Sequence, residues 1–477
     1  MSALGVTAFV AALVGAVLVH ELFHLLGARW SGMRVDRYFV GFGPTLWSTR
    51  RGETEIGLKL LPLGGFVRIV GMDPEDPVQP PLVDELPEPE GDGAVWADAL
   101  EVGLRARGAR AETARRIRDA ARGVLSAAPA GVGAGAGGPR DRATAAVTAA
   151  VEAELGPTRR VGDLAHRVLR GDEGRRYGDR PARQRALAIV LGPLSHAAIA
   201  FVLLLGIQLG WPQPTGELTT VVAAVQQGSP ADAAGLRAGD RLLAVAGVAS
   251  DDFLVLRDGL RGRPGQPVDV RVERAGAVDT VRIVPEPVET VEGTVGLIGI
   301  AVEPVVADVG VVDAVVAAAV GEPRGASPGG VVPLARDSVA GLVRILSPQG
   351  LTDLVGQAVG AEERDPTGAV SLVGAASIAG QIGARDGGLP VLLGLLAAIN
   401  VFFMLFNLVP LPPFDGGHLA VIGVESAVNG LRRLRGRAAD FRVRPEALTA
   451  LAAPVMAVLV LLLVATLWLD VTSPIRL

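Results

Sequence analysis

The sequence predicts a polytopic α-helical membrane protein with four transmembrane helices, a β-hairpin loop after the first, and a small β domain inserted between the second and third. Three observations predict it. Residues 4–28, 186–211, 390–411 and 448–469 are each apolar over the roughly 20 residues that a hydrocarbon layer requires. Residues 38–72, "YFVGFGPTLWSTRRGETEIGLKLLPLGGFVRIVGM", carry strand-like alternation broken by Gly and Pro. A later stretch opening with "VVAAVQQGSPADAAGLRAGDRLLAVAG" sets short β-rich runs between turn residues.

Composition agrees. Of 477 residues, 49% are hydrophobic, which suits membrane spans. The formal net charge of -5 gives no electrostatic reason to expect nucleic acid as a partner. The chain contains no cysteine, so disulfides, thiolate metal ligands and cysteine nucleophiles are excluded, and His, Asp and Glu are left to bind any metal.

Taken in order, span 1 has no Lys or Arg before it and its first flanking cation is Arg29, so it is expected to be retained and not removed as a signal peptide. Arg29, Arg34 and Arg37 follow it, Arg183 and Arg185 precede span 2, and "GLRRLRGRAADFRVRPE" joins spans 3 and 4. Positive flanks prefer the cytoplasm. The expected topology in the plasma membrane therefore has these segments inside, and the N-terminus, the β domain and a short C-terminal tail outside. The boundaries are 1–37 for the first span, 38–77 for the hairpin loop, 78–183 for a cytoplasmic insertion, 184–212 for span 2, 213–304 for the β domain, 305–389 for an extracytoplasmic helical and linker region, 390–425 for span 3, 426–446 for a cytoplasmic loop, and 447–477 for span 4 and the tail.

In the insertion, "DPEDPVQPPLVDELPEPEGDG" is rich in Pro and acids and "APAGVGAGAGGPRDR" in Gly and Ala, and both read as linkers. The helix-compatible stretches around them are not obviously amphipathic enough for a core. A tethered, partly disordered insertion is expected, with a regulatory or partner-binding element as the competing reading. In 305–389, the most apolar part contains Asp308 and Asp313 and directly follows Glu303, so it is not counted as a span.

The chemistry concentrates in "VLVHELFHLL" of span 1. His20 and His24 are four apart and share one helix face, while Glu21 is offset by about 100°. In this H-E-x-x-H arrangement two imidazoles hold zinc and the glutamate takes a proton from the water the metal activates. Two core histidines bonded to neighbouring helices are the alternative, but three adjacent polar groups at bilayer depth would each need a buried partner. Catalytic zinc takes three protein ligands, and the tip of span 3, "NLVPLPPFDGGH", offers a third. Pro410, Pro412 and Pro413 cannot continue a helix, and Gly416 and Gly417 permit a sharp turn, so Asp415 is expected at the histidines' depth on an irregular segment. A surface turn residue just beyond the membrane is the other reading of Asp415.

The combination of "HELFH" in span 1, "GFGPTLWSTRRGETEIGLKLLPLGGFVRI" after it, "GP" in span 2, "GSPADAAGLRAGDRLLAVAG" in the inserted domain and "NLVPLPPFDGG" in span 3 resembles the site-2 protease family of intramembrane zinc metalloproteases. It is most similar to the bacterial regulator-of-sigma-E type with a PDZ domain, over most of the chain and in matching order. The resemblance implies one zinc ion on His20, His24 and Asp415, Glu21 as general base, and a substrate contact at Asn407, for which a helix-interior hydrogen bond is the alternative reading. It also implies that residues 38–77 are membrane-associated and re-enter the membrane as a β-loop, and that residues 213–304 form a PDZ-like domain. The loop, with Gly64 and Gly65, would then present a strand edge to the substrate. Expected substrates are single-span membrane proteins, anti-sigma factors or signal-peptide remnants, already trimmed by an upstream site-1 protease. A catalytically inactive scaffold that recruits partners through the PDZ-like domain is the alternative.

Three departures stand out. Residues 78–180 exceed the family's expected connection between hairpin loop and span 2. The family usually has Asn three residues after the proline of "GP", where this chain has His196; His196 is expected to be a satisfied polar core residue near the site, with a modulator of substrate or water, or a metal role, as alternatives. The chain has one PDZ-like domain where some relatives have two. Of the remaining histidines, His418 is expected to be structural or to support the ligands, and His166 to be exposed in the insertion.

Overall fold

The computed structural model describes residues 3–72, 94–106, 111–127, 171–290, 293–321, 330–365, 368–385 and 387–475. The chain forms two compact units, Met1–Ala200 together with Asp337–Leu477, and Phe201–Arg336.

The first unit opens with α1 (Ala3–Trp30), whose buried residues Phe9, Leu13, Ala16, His20, His24 and Gly27 recur every three or four positions. That spacing makes one stripe along the helix, and the histidines continue it. β1 (Val35–Arg51) and β2 (Thr54–Ile69) follow. Each strand folds over on itself: Phe39 lies opposite both Phe66 and Gly57, and Ser48 is also opposite Gly57. Only glycine fits at 57, since a Cβ there would stand 2.4 Å from the Phe39 ring. The base of the hairpin, through Met33, Val35 and Ile69, shares a core with Leu25 of α1 and with Tyr177 and Ile189.

Within the insertion, α2 (Ala94–Ala106) and α3 (Ala111–Ala127) pack as a pair. Ala97, Leu100 and Leu104 face Ala114, Ile117 and Ala121, all essentially fully buried, and Glu101 accepts from Arg118 at 2.5 Å. For residues 94–127 this corrects the expectation of stretches not amphipathic enough for a core; the helix-compatible stretch at 144–155 lies outside the described residues. The buried positions do recur every three to four residues, but half of them are alanine, which marks a face weakly. Both linker stretches and His166 lie outside the described residues. The chain returns through residues 171–181, where buried Arg34 and Asp172 pair at 2.6 Å and the Tyr177 N–H donates to the Val70 carbonyl at 2.8 Å. It then enters α4 (Ala182–Gly210).

The second unit contains β3 (Gln213–Val225), α5 (Pro230–Ala233), β4 (Arg241–Val245), β5 (Val248–Ala249), α6 (Phe253–Arg261), β6 (Val268–Arg274), β7 (Ala277–Ile283), β8 (Glu286–Thr290), β9 (Gly293–Leu297), β10 (Ile300–Ala307) and α7 (Val311–Val320). Its main sheet has the order β10-β3-β4-β6-β7 with β5 beside β4, and β8 and β9 form a separate ladder. Val222, Leu242 and Val270 point inward against Leu256 and Leu260 of α6. The expected helical stretch from Asp252 is present, with the Asp252 carboxylate accepting from the Leu254 N–H at 2.8 Å as its cap. An inserted β-rich unit is thus observed where the sequence predicts one.

α8 (Val331–Leu346), α9 (Pro348–Ala358) and α10 (Leu372–Ile382) lead back into the first unit, followed by α11 (Gly388–Asn407), α12 (Asp415–Leu434) and α13 (Pro445–Thr472). Among the described residues, four helices are long and apolar enough to cross a membrane: Ala3–Trp30, Ala182–Gly210, Gly388–Asn407, and Ala450–Thr472 within α13. They match the four expected spans. The third departs from its expected boundaries of 390–425, and the loop from 426–446. α11 stops at Asn407, and α12 starts anew at Asp415 and runs on to Leu434. Prolines end the first helix, while Asp415 in the first turn and Arg432 and Arg433 in the last complement the dipole of the second.

Candidate metal centre

Two features of the chain bring the site together. The first is the buried stripe of α1, which holds His20 and His24 one turn apart. The second is the tight return between α11 and α12. There Gly416 and Gly417 do not make the bend, as the sequence suggests; they belong to the first turn of α12, pressed against the preceding turn. A Cβ at Gly416 would stand 2.3 Å from the Leu408 and Val409 carbonyl oxygens, and one at Gly417 2.7 Å from the Pro412 nitrogen. This contact seats the α12 N-terminus, and with it Asp415, against α1. Asp415 is therefore the first residue of a regular helix and not part of an irregular segment.

Nε2 of His20 and Nε2 of His24 are 3.1 Å apart, and Asp415 Oδ2 lies 3.4 Å from the first and 3.2 Å from the second. These residues form the group of potential metal ligands found among the described residues. Ligand atoms about 2.1 Å from a tetrahedral centre stand about 3.4 Å from one another, so the three observed separations fit one zinc-sized ion. Asp415 Oδ2 is buried without a hydrogen-bond partner, a costly arrangement for a carboxylate oxygen unless a cation satisfies it. The donor set of two imidazoles and a carboxylate suits zinc.

The surroundings orient these groups. His24 donates from Nδ1 to the Ala188 carbonyl of α4 at 2.9 Å, which fixes its tautomer and turns Nε2 to the cluster. The approach is close: a Cβ at Gly192 would stand 2.2 Å from His24 Nε2, and one at Gly27 2.9 Å from the Ala188 Cα. Glu21, on the neighbouring face of α1, is covered by β2, where a Cβ at Gly65 would stand 3.0 Å from its Cγ. The hairpin thus lies directly on the glutamate. Gly64 adopts φ +90° beside the Phe42 ring, a left-handed conformation open to glycine. Tyr38 of β1 donates to the Leu18 carbonyl of α1 at 3.2 Å, holding hairpin and helix together.

Asn407 is the last residue of α11 and half-buried. His418 lies in the first turn of α12, outside the metal-capable group. His196 is buried in α4 with its ring centroid 4.9 Å from that of His20 and Nδ1 2.9 Å from Asn400 Oδ1; it too is outside that group. Sequence reading missed the parts played by Ala188, Gly192 and Asn400. The four-residue spacing of Ala188, Gly192 and His196 along one face of span 2 was the available signal.

A model of peptidase family M50 matches residues 8–453. The chain is 30% identical to the zinc metalloprotease Rip1 of Mycobacterium tuberculosis over 505 aligned residues, covering 99% of this chain and 98% of the relative. It is 28% identical to the zinc metalloprotease RasP of Geobacillus kaustophilus, over 89% of this chain and 90% of that protein. It is 24% identical to the regulator of sigma-W protease RasP of Bacillus subtilis, over 88% and 90%.

Proposed function

Because the chain belongs to peptidase family M50, the site-2 protease family, we propose that His20, His24 and Asp415 hold its zinc and that Glu21 is the general base. The protein is a zinc metalloprotease with, among the described residues, four helices able to span a membrane. One observation carries the assignment of residues: three ligand atoms from two distant parts of the chain stand 3.1 to 3.4 Å apart, with a glutamate next to the first of them.

Zinc at this site would polarise a scissile carbonyl and make water nucleophilic near neutral pH. Glu21 accepts the water proton and passes it to the leaving amine. His24 keeps its ligating nitrogen turned inward through the Ala188 carbonyl, and the hairpin shields the glutamate from bulk water. A substrate helix hides its carbonyls in its own hydrogen bonds and must unwind to react. The last part of β2, from Gly65, pairs with β1 on one side and offers its other side to an extended peptide, which would dock as an added strand next to Glu21. Gly64 and Gly65 keep that edge free of side chains, and Asn407 contributes a polar contact to the unwound backbone. An apolar groove of about 900 Å³ between α11 and α13 is lined by Ile399, Phe402, Val458 and Leu462 and by Phe414, the residue before Asp415. It suits the apolar flank of a membrane-embedded substrate.

The substrates are single-span membrane proteins, of the class of anti-sigma factors or signal-peptide remnants. The name of the Bacillus subtilis relative, a regulator of sigma-W protease, supports the first of these. The arginine-flanked segments face the cytoplasm and the inserted unit lies outside. That unit is PDZ-like, a reading supported by its sheet and by a groove of about 350 Å³ between α6 and the segment Gly296–Ile300. It selects substrates trimmed by an upstream protease, either by excluding bulky ectodomains or by binding exposed C-termini.

The test is Glu21→Gln. Purified protein should retain one zinc per chain by metal analysis while cleavage of a transmembrane peptide substrate falls to background; full activity in this variant would remove the mechanism.

A further inference from the structure

α1 and α4 run past each other in a regular register. Gly27 meets Ala188, His24 meets Gly192, and His20 meets His196, so each step of three or four residues along one helix is matched by four on the other. In the first two steps α4 contributes small residues and a carbonyl, and that carbonyl fixes His24. No such carbonyl serves His20 among the described residues. Its Nε2 faces Asp415 and His24, and its Nδ1 is buried without a hydrogen-bond partner. A histidine that ligates through Nε2 carries a proton on Nδ1, and metal ligands of this kind almost always donate that proton to an acceptor.

His196 is the neighbouring ring with the chemistry to accept it. It is 2% exposed and its ring is tilted 34° to the His20 ring. The amide of Asn400, on α11, donates from Nδ2 to the Leu396 carbonyl at 2.8 Å. A carbonyl can only accept, so the amide oxygen must be the atom turned to His196. His196 therefore donates from Nδ1 to Asn400 Oδ1 and keeps a lone pair on Nε2. With no direct bond at His20 Nδ1, rings with centroids 4.9 Å apart pair their nitrogens through one water.

We propose that His196, held in one tautomer by Asn400, is a positioning residue that orients the His20 imidazole for the metal, as the Ala188 carbonyl orients His24. The inference rests on the reading that His20, His24 and Asp415 are the ligands. It makes the site a joint product of three spanning helices beyond the turn that supplies Asp415: α1 carries the ligand, α4 the positioning group, and α11 the amide that sets its tautomer.

The experiment uses the full chain in detergent, with zinc affinity measured by chelator competition and ligand geometry by the visible spectrum of the cobalt-substituted protein. His196→Leu should weaken zinc binding about 10- to 100-fold, shift the cobalt bands, and lower kcat with KM held. Asn400→Leu should shift the same readouts in the same direction, and the double variant should be no worse than His196→Leu alone, because both changes remove one linkage. A residue that merely fills the core would lower thermal stability without moving the cobalt spectrum. Wild-type affinity and spectrum in folded His196→Leu, or in Asn400→Leu should the first variant fail to fold, would overturn the proposal while leaving the ligand assignment intact. Wild-type protein without zinc, or unchanged zinc in His24→Ala, would instead sink that assignment and this inference with it.

Discussion

Asp240 closes the "GLRAGD" turn of the inserted unit, buried at the entrance to β4. Arg274 of β6 grips both its oxygens at 2.7 and 2.6 Å, and the Arg237 N–H donates to it at 2.8 Å. The guanidinium beside it holds its carboxyl below the usual carboxylate range. A folded-state value below the unfolded one, about 3.9, means the pairing stabilises the unit fully above that pH and loses its contribution as pH falls through the folded value. Arg274→Met should therefore lower stability at pH 7, by an amount kept modest by the exposure of Arg274, and should flatten the loss of stability below about pH 4. Thermal unfolding of the β unit in the full chain, followed from pH 7 to pH 3, checks both; parallel acid limbs in the two proteins would count against the pairing. At this scale, legibility followed sequence distance. His20, Glu21 and His24 could be read because four residues on one helix fix their faces without any partner. Asp415 was legible through its prolines, although not its place as the first residue of a helix. Asn400 was not legible at all, because its use depends on which face of α11 turns toward α4.

The contact between α1 and α4 is where one element decides the chemistry of another. Gly192 has no side chain because His24 occupies that space: a Cβ would stand 2.2 Å from Nε2 and 2.3 Å from Cε1. Gly192→Ala should therefore push the His24 ring out of its place, or part the helices, at about 1–3 kcal/mol of overpacking, and bound zinc should fall well below one per chain. Gly206, on the same helix, has open space where its Cβ would go, and Gly206→Ala should keep zinc and activity while slightly stabilising the helix. Equal zinc contents in the two variants would contradict the packing. Spans announce themselves by length and apolarity, which is why the apolar stretches of all four were legible to within a few residues, although the third was expected to run on to 425 and its helix ends at Asn407. α2 and α3 were not, since alanines at Ala97, Ala114 and Ala121 bury as completely as leucine but stand out little in a hydropathy pattern. The end of α11 and start of α12 fell between these cases: prolines announced the break, but only the close seating of Gly416 and Gly417 on the preceding turn explains why a second helix begins so soon.

Across the whole molecule, every group assigned to catalysis lies in the first unit, Met1–Ala200 with Asp337–Leu477, and the β unit contributes none of them. Arg185 of α4 reaches Glu425 of α12 at 2.8 Å, with Arg442 on the same carboxylate oxygen at 2.8 Å, so the helix that orients His24 and the helix that carries Asp415 are tied together within this unit. The β unit has its own core, from Val222 to Ile298. Replacing residues 213–304 with a short flexible linker should consequently leave one zinc per chain and cleavage of a substrate with a minimal ectodomain. What changes is selection. If the unit excludes bulk, the shortened enzyme should cut substrates whose ectodomains are still full-length, which the intact enzyme rejects. If the unit binds a trimmed C-terminus in the groove beside α6, the shortened enzyme should instead lose its preference for trimmed substrates through a raised KM, with kcat unchanged. Side-by-side cleavage of trimmed and untrimmed versions of one membrane protein separates the two, and a shortened enzyme that still rejects the untrimmed form and handles the trimmed form as before would remove the unit from substrate selection altogether.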